Sequence, residues 1–203
     1  MVVVEYASGR EAEVLGDGPT VLLWHGRGPN ERDALRPLAE AVAAHGRRVV
    51  VPDWDSTAED GGRADLFGSL RFARETAGHD PDRLTLCGWS LGGIAAASIT
   101  LNQRRLGIGL ARTALIAAAP FPRIDPISGA MLAAADPPVA RDTTVAFVHG
   151  LSDDLTPTDR VHATHTQWVE AGWPATLDEL DADHFTIVGP DHAPTIADIV
   201  VRP

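Results

Sequence analysis

Short apolar runs recur along the chain, separated by longer segments whose apolar residues fall at helical spacing. The runs "TVLLWHG" (20–26), "RRVVVPD" (47–53), "DRLTLCG" (82–88), "RTALIAAAP" (112–120), "TTVAFVHG" (143–150) and "ATLDEL" (175–180) predict strands. The segments "ERDALRPLAEAVAAHG" (31–46), "RADLFGSLRFARETAG" (63–78), "LGGIAAASITLNQ" (91–103), "TDRVHATHTQWVEAG" (158–172) and "APTIADIVV" (193–201) predict helices. Several of them close on glycine, which readily takes the left-handed conformation of a helix C-cap. An early pair, "VVVEYA" (2–7) and "EAEVL" (11–15), predicts a hairpin at one edge. Strands that are apolar throughout need cover on both faces, and a helix between successive strands supplies it. The pattern predicts an α/β fold: a mostly parallel, doubly wound sheet with helices on both faces.

One stretch breaks the rhythm. "PFPRIDPISGAMLAAADPPVARD" (120–142) is longer than an ordinary loop and predicts an irregular, cap-like segment with one short helix around Met131. Its 23 residues are too few for a helical lid domain, so an open site suited to small or soluble substrates is expected.

Composition narrows the class. A length of 203 residues fits a single domain spanning 1–203. A hydrophobic content of 44% and a charged content of 22% fit a soluble globular protein. The net charge is −11, and every basic residue is arginine. A chain of that charge lacks the basic footprint that nucleic acid or an anionic membrane requires. The one cysteine, Cys87, cannot form an internal disulfide, and the N-terminus has no basic region followed by an apolar one. These features, with no apolar run of membrane-spanning length, predict a soluble, cytoplasmic protein.

Candidate chemistry lies just after the strands, because open parallel sheets bind ligands beyond the carboxyl ends of their strands. Those positions are His25-Gly26-Arg27-Gly28, Asp53 to Asp55, Gly88 to Gly92, Pro120 to Pro122, Gly150 to Asp154 and Asp181 to Phe185. Among them lie a serine, an acid and a histidine, in the order Ser90, Asp153, His184.

On these residues the chain resembles the α/β-hydrolase superfamily, and within it the small carboxylesterases and dienelactone-hydrolase-like serine hydrolases. Gly88-Trp89-Ser90-Leu91-Gly92 is similar to the family's Gly-x-Ser-x-Gly nucleophile elbow, in a strand–turn–helix context. His25-Gly26 resembles the oxyanion segment. His149-Gly150-Leu151-Ser152-Asp153, followed by Pro157, resembles the acid-bearing strand end, and Ala182-Asp183-His184-Phe185 the histidine loop. The resemblance runs from about residue 20 to the C-terminus. One position departs from the dienelactone hydrolases proper, which carry cysteine at the elbow where this chain has Ser90.

The resemblance implies Ser90 as nucleophile, His184 as general base and then acid, and Asp153 as the group that orients it. Asp154 competes with Asp153, whose spacing from His149-Gly150 and to Pro157 favours it. Backbone N–H groups of Leu91 and Arg27 are the expected oxyanion hole. The physical requirements agree: a serine hydroxyl needs a base within hydrogen-bond reach, and the base needs its tautomer fixed. The glycines of the elbow meet a steric demand of the tight turn.

Other groups receive plainer readings. His25 and His149 end strands and are expected to bond nearby loops. His162 and His165 are expected on a solvated helix face, with no metal site. Asp181 and Asp183 are expected in a loop, and Cys87 in the core. Trp89 packs between strand and helix or walls the substrate pocket, and the sequence leaves both open. Trp54 and Phe121 are further pocket candidates, and Arg123 is expected in a surface salt bridge. The expected activity is hydrolysis of small carboxylic esters or thioesters through an acyl-enzyme, with no cofactor. An acyltransferase with the same triad and a non-catalytic small-ligand-binding protein are the alternatives.

Overall fold

The computed structural model describes residues 1–132 and 143–202. Eight strands form one sheet: β1 (Val2–Ala7), β2 (Arg10–Leu15), β3 (Thr20–Trp24), β4 (Arg48–Pro52), β5 (Leu84–Trp89), β6 (Leu110–Ile116), β7 (Thr144–Gly150) and β8 (Ala175–Leu180). Their order across the sheet is β1-β2-β4-β3-β5-β6-β7-β8. The hairpin β1–β2 runs antiparallel and joins β4 antiparallel; from β4 to β8 all neighbours are parallel. Among the described residues, five α-helices cover the sheet: α1 (Arg36–Ala44), α2 (Arg63–Glu75), α3 (Leu91–Leu106), α4 (Thr158–Glu170) and α5 (Ala193–Val201).

The continuous apolar runs have a direct explanation. Along each central strand, successive side chains enter opposite cores. Leu22 and Trp24 of β3, Leu86 of β5, Leu115 of β6 and Phe147 of β7 pack with α2, α3 and α4. Val21 and Leu23, Cys87, Ala114 and Ile116, and Ala146 and Val148 pack with α1 and α5. Both faces of these strands are therefore buried, and none needs a polar side.

Boundaries moved where local chemistry intervened. The helix expected from residue 31 begins as a 3-10 turn at Arg32–Leu35 and becomes regular only at Arg36, with Pro37 in its first turn. There the missing proline N–H costs nothing, because no partner would exist for it. The strand expected over 112–120 ends at Ile116, since Ala117 takes φ 47° and turns the chain out of the sheet. In the irregular segment, Met131 forms an antiparallel bridge with Ile124 and so is not helical as expected. The buried Asp125 carboxylate organises this loop, accepting from Ile127 N at 2.7 Å, Ser128 Oγ at 2.7 Å and Ser98 Oγ of α3 at 2.6 Å. The rest of the expected cap-like segment, residues 133–142, lies outside the described residues.

The topology opens a crevice. From β3 the chain winds to β4 on one side, then crosses to β5 on the other. Such a reversal separates the connections leaving the two adjacent strands and leaves a cleft at their carboxyl ends. Register aligns Trp24 with Gly88, so His25-Gly26 and Trp89-Ser90 emerge side by side. Among the described residues, no helix is long and apolar enough to cross a membrane.

Candidate active site

Ser90 sits between β5 and α3 with φ 56° and ψ −119°, a conformation that residues with a Cβ rarely adopt. Local bonds hold it there: Ser90 N–H donates to Ile116 O at 2.9 Å, and Ser90 O accepts from Gly93 N at 3.0 Å. The turn is tight enough to exclude side chains on both flanks. A Cβ at Gly88 would overlap the Gly92 carbonyl, and one at Gly92 would overlap the carbonyls of His25 and Trp24. The glycines expected on steric grounds are therefore required by backbone, which cannot move aside.

Ser90 Oγ lies 2.9 Å from His184 Nε2, and His184 Nδ1 lies 2.8 Å from Asp153 Oδ2. An ionised carboxylate only accepts, so the neutral imidazole carries its proton on Nδ1 and leaves Nε2 to accept from the serine hydroxyl. Asp153 follows β7 in the turn before α4, and its side chain is wholly buried. Its second oxygen accepts from Leu155 N at 2.9 Å and Thr156 N at 2.8 Å, so both oxygens are held. Asp154 is exposed and takes no part in this chain of bonds. Asp181 is exposed as well, and Asp183 Oδ1 accepts from Phe185 N and Thr186 N, each at 2.8 Å. Those backbone donors hold the Asp183 carboxyl below its usual range while they shape the turn that presents His184.

Trp89 both packs in the core and lines the cleft. Its ring crosses to the α1/α5 side of the sheet, and its Nε1–H donates to His184 O at 2.9 Å. The ring is also tilted against the imidazole, with centroids 5.6 Å apart, and lines the cleft. The cleft holds about 390 Å³ and is lined by Arg27, Trp89, Ser90, Leu91, Ile94, Ala117 to Ala119, Arg123, Leu155, Thr156, His184 and Phe185. Leu91 opens α3, so its N–H is among those with no partner inside the helix, and Leu91, like Arg27, lines the cleft.

Two pocket candidates lie elsewhere. Trp54 is fully buried, stacks on His25 at 5.3 Å and donates from Nε1 to His25 O at 3.1 Å. Phe121 is turned into the core against Trp168, centroids 6.0 Å apart. Both come after strands, but the chain bends so that the rings satisfy core packing. Arg123 also departs from expectation. Among the described residues it forms no ion pair, and it lines the cleft instead. Ala117 to Ala119, Ile94, Leu155, Thr156 and Phe185 were not legible as lining residues. The run "AAAP" after β6 carried a signal, since small residues at a strand's carboxyl end leave room for a ligand.

His25 and His149 act as loop anchors. His25 Nδ1–H donates to Gly26 O at 2.9 Å, and its Nε2 accepts from Trp54 N at 3.1 Å and Glu31 N at 3.4 Å. Burial pushes its pKa down to about 4, so it is neutral and ties the β3 loop to the chain after β4. His149 Nε2 pairs with Thr158 Oγ1 at 2.9 Å, joining β7 to α4. His162 pairs with Glu179 at 2.8 Å, while His165 Nε2 reaches Ala175 O at 3.4 Å. Among the described residues, no group of three or more His, Cys, Asp or Glu side chains could hold a metal ion. Cys87 is buried, and burial raises its thiol to about 12.

No protein-family model and no curated protein matches the sequence. Solved structures do match. An arylesterase shares 17% identity over 94% of this chain and 78% of its own, with a TM-score of 0.69. An esterase of Pyrobaculum calidifontis shares 16% identity over 94% of this chain and 80% of its own, with a TM-score of 0.71. A thermophilic esterase of the Planctomycetes species Thermogutta terrifontis, with propionate bound, shares 17% identity over 98% and 92%, with a TM-score of 0.73. The chain has the α/β-hydrolase fold.

Proposed function

We propose that this protein is a serine hydrolase of small carboxylic esters, acting through an acyl-enzyme on Ser90. The observation that carries the reading is the unbroken chain from Ser90 Oγ through His184 to the buried Asp153, at 2.9 Å and 2.8 Å. Ser90 Oγ attacks the ester carbonyl carbon as its proton passes to His184 Nε2. The imidazolium formed is stabilised by Asp153, whose remaining oxygen is already committed to two backbone N–H groups. The tetrahedral oxyanion is received by Leu91 N–H and Arg27 N–H, each such donor being worth about 3–4 kcal/mol. The positive end of α3 adds to that field. Collapse breaks the acyl–oxygen bond, and His184 returns the proton to the departing alkoxide. Water then repeats the attack on the acyl-enzyme, releasing the acid and restoring Ser90.

A carboxylesterase activity also fits the shape of the cleft, whose walls beside Ser90 are small or apolar: Ala117 to Ala119, Leu91 and Ile94. The propionate-bound esterase named above is a structural neighbour with the same fold, and propionate is a short carboxylate of the size this cleft admits. Labelling with a fluorophosphonate tests the reading. Stoichiometric modification at Ser90 of folded protein, absent in Ser90→Ala and strongly slowed in His184→Ala, is the expected result. Modification elsewhere, or none, removes the assignment.

A further inference from the structure

A second cavity lies at the amino ends of the parallel strands, the end of the sheet opposite the Ser90 cleft. It holds about 350 Å³ and shares no lining residue with that cleft. Strand register assembles its wall. Thr20 opens β3, Arg112 of β6 stands between Thr85 of β5 and Thr144, and Thr144 opens β7. Arg112 and Thr20 both line the cavity, and they are only 6% and 4% exposed.

Both side chains have buried polar atoms left unmet. Arg112 donates from Nη1 to Thr144 Oγ1 at 2.9 Å, but its Nε and Nη2 are buried with no hydrogen-bond partner among the described residues. Those two nitrogens form one edge of the planar guanidinium, whose parallel N–H bonds match two oxygens of an oxyanion. Thr20 Oγ1 is likewise buried and unpartnered. Unmet buried donors cost stability until an acceptor arrives. Burial first, and then the charge of Arg202, push the pKa of Arg112 down, as a cation short of a counter-ion requires.

The surroundings add positive charge. Arg47, half-buried, and Arg83 and Arg202, exposed, complete the charged wall with Arg112. Arg47 Nη2 also donates to Val201 O at the end of α5, at 3.2 Å. Two carboxylates offset part of this charge. Asp80 lines the cavity, and its Oδ1 accepts from Asp82 N at 2.9 Å. Asp178 accepts from Arg202 at 3.4 Å, and its Oδ2 makes no bond to Arg112.

We propose that this cavity binds a phosphate group, free or carried on a small monoester, with the Nε–Nη2 edge of Arg112 and Thr20 Oγ1 as inner donors and Arg47 and Arg83 as outer cations. A carboxylate has two oxygens and would be used up by the Arg112 edge. A phosphate has further oxygens for the Thr20 hydroxyl and the outer guanidiniums, and its charge approaches two at neutral pH. The site is independent of the hydrolase reading, because it shares no residue with it.

Calorimetry and thermal unfolding of the whole protein test the assignment, with inorganic phosphate and glycerol 3-phosphate as probes and sodium chloride holding the ionic strength constant. Wild type is expected to bind phosphate saturably and to unfold at a higher temperature with it than with chloride. Kd should rise about tenfold in Thr20→Val and further in Arg112→Gln, while Arg105→Gln, on α3 outside the cavity, leaves it unchanged. Without phosphate, Thr20→Val should be no less stable than wild type, because the hydroxyl it removes has no partner. If Arg112→Gln does not fold, Thr20→Val and the exposed Arg83→Gln decide the matter by the same rise in Kd. Tighter binding of glycerol 3-phosphate than of inorganic phosphate assigns the site to a monoester; equal or weaker binding assigns it to the free ion. No saturable binding of either probe, binding unchanged in the folded cavity variants, or succinate binding more tightly than phosphate overturns the proposal.

Discussion

Protonation of His25 should loosen the fold in a pH window that its environment defines. The imidazole is fully buried and neutral, with Nε2 accepting from two backbone N–H groups, so a proton there removes an acceptor and buries a charge. Its folded pKa of about 4 lies below the ordinary value of 6.5. The unfolded chain therefore binds more protons than the folded one between those two values. Stability from this group is complete above the upper value and is lost as pH falls toward the lower one. Linkage across that gap gives a loss of about 2 kcal/mol between about pH 7 and pH 5, and about 3 kcal/mol once pH falls below the folded value. Urea unfolding at a series of pH values, in wild type and in His25→Gln, isolates the contribution. His149 also has a depressed pKa and Asp53 a raised one, both from burial, and both titrations remain in the variant. The variant should be less stable at neutral pH, and its stability should fall less steeply with acid by about 2 kcal/mol over the same window. Parallel curves, or a His25 resonance titrating near its ordinary value, would refute the argument.

The same geometry sets three further outcomes. Asp153→Asn should lower kcat about 10⁴-fold by letting the imidazole take the wrong tautomer, while Asp154→Asn leaves turnover intact, as steady-state kinetics on a 4-nitrophenyl ester will report. Gly26→Ala should fold yet lose turnover, since its Cβ would stand 3.2 Å from Ser90 Cβ and the Trp89 ring, close enough to shift the Ser90 side chain; in Gly92→Ala the overlap is with backbone, and thermal unfolding should show severe destabilisation. Cys87, whose thiol is raised to about 12, should resist iodoacetamide in native protein at pH 8 and react only on denaturation; mass spectrometry reads the adduct.

Much of the fold and the site was legible in the sequence because its causes are local. Alternation of apolar runs with amphipathic segments fixes strands and helices through burial. The Gly88 to Gly92 elbow carries its own steric logic, and the order Ser90, Asp153, His184 places three groups at strand ends. Contacts between residues distant in the chain decided the rest. Trp89 meets the carbonyl of His184 from 95 positions away. Trp54 and Phe121 come after strands, as pocket residues do, but which way each ring turns depends on space that only the packed core defines. Arg123 looked like a surface partner for an acid, and only the folded loop shows it lining the cleft of Ser90. Sequence determines which residues must be buried and where the backbone must turn tightly, since those demands act within a few residues. Tertiary structure alone decides which surfaces face each other across the cleft, because that depends on where the strands and helices come to rest together.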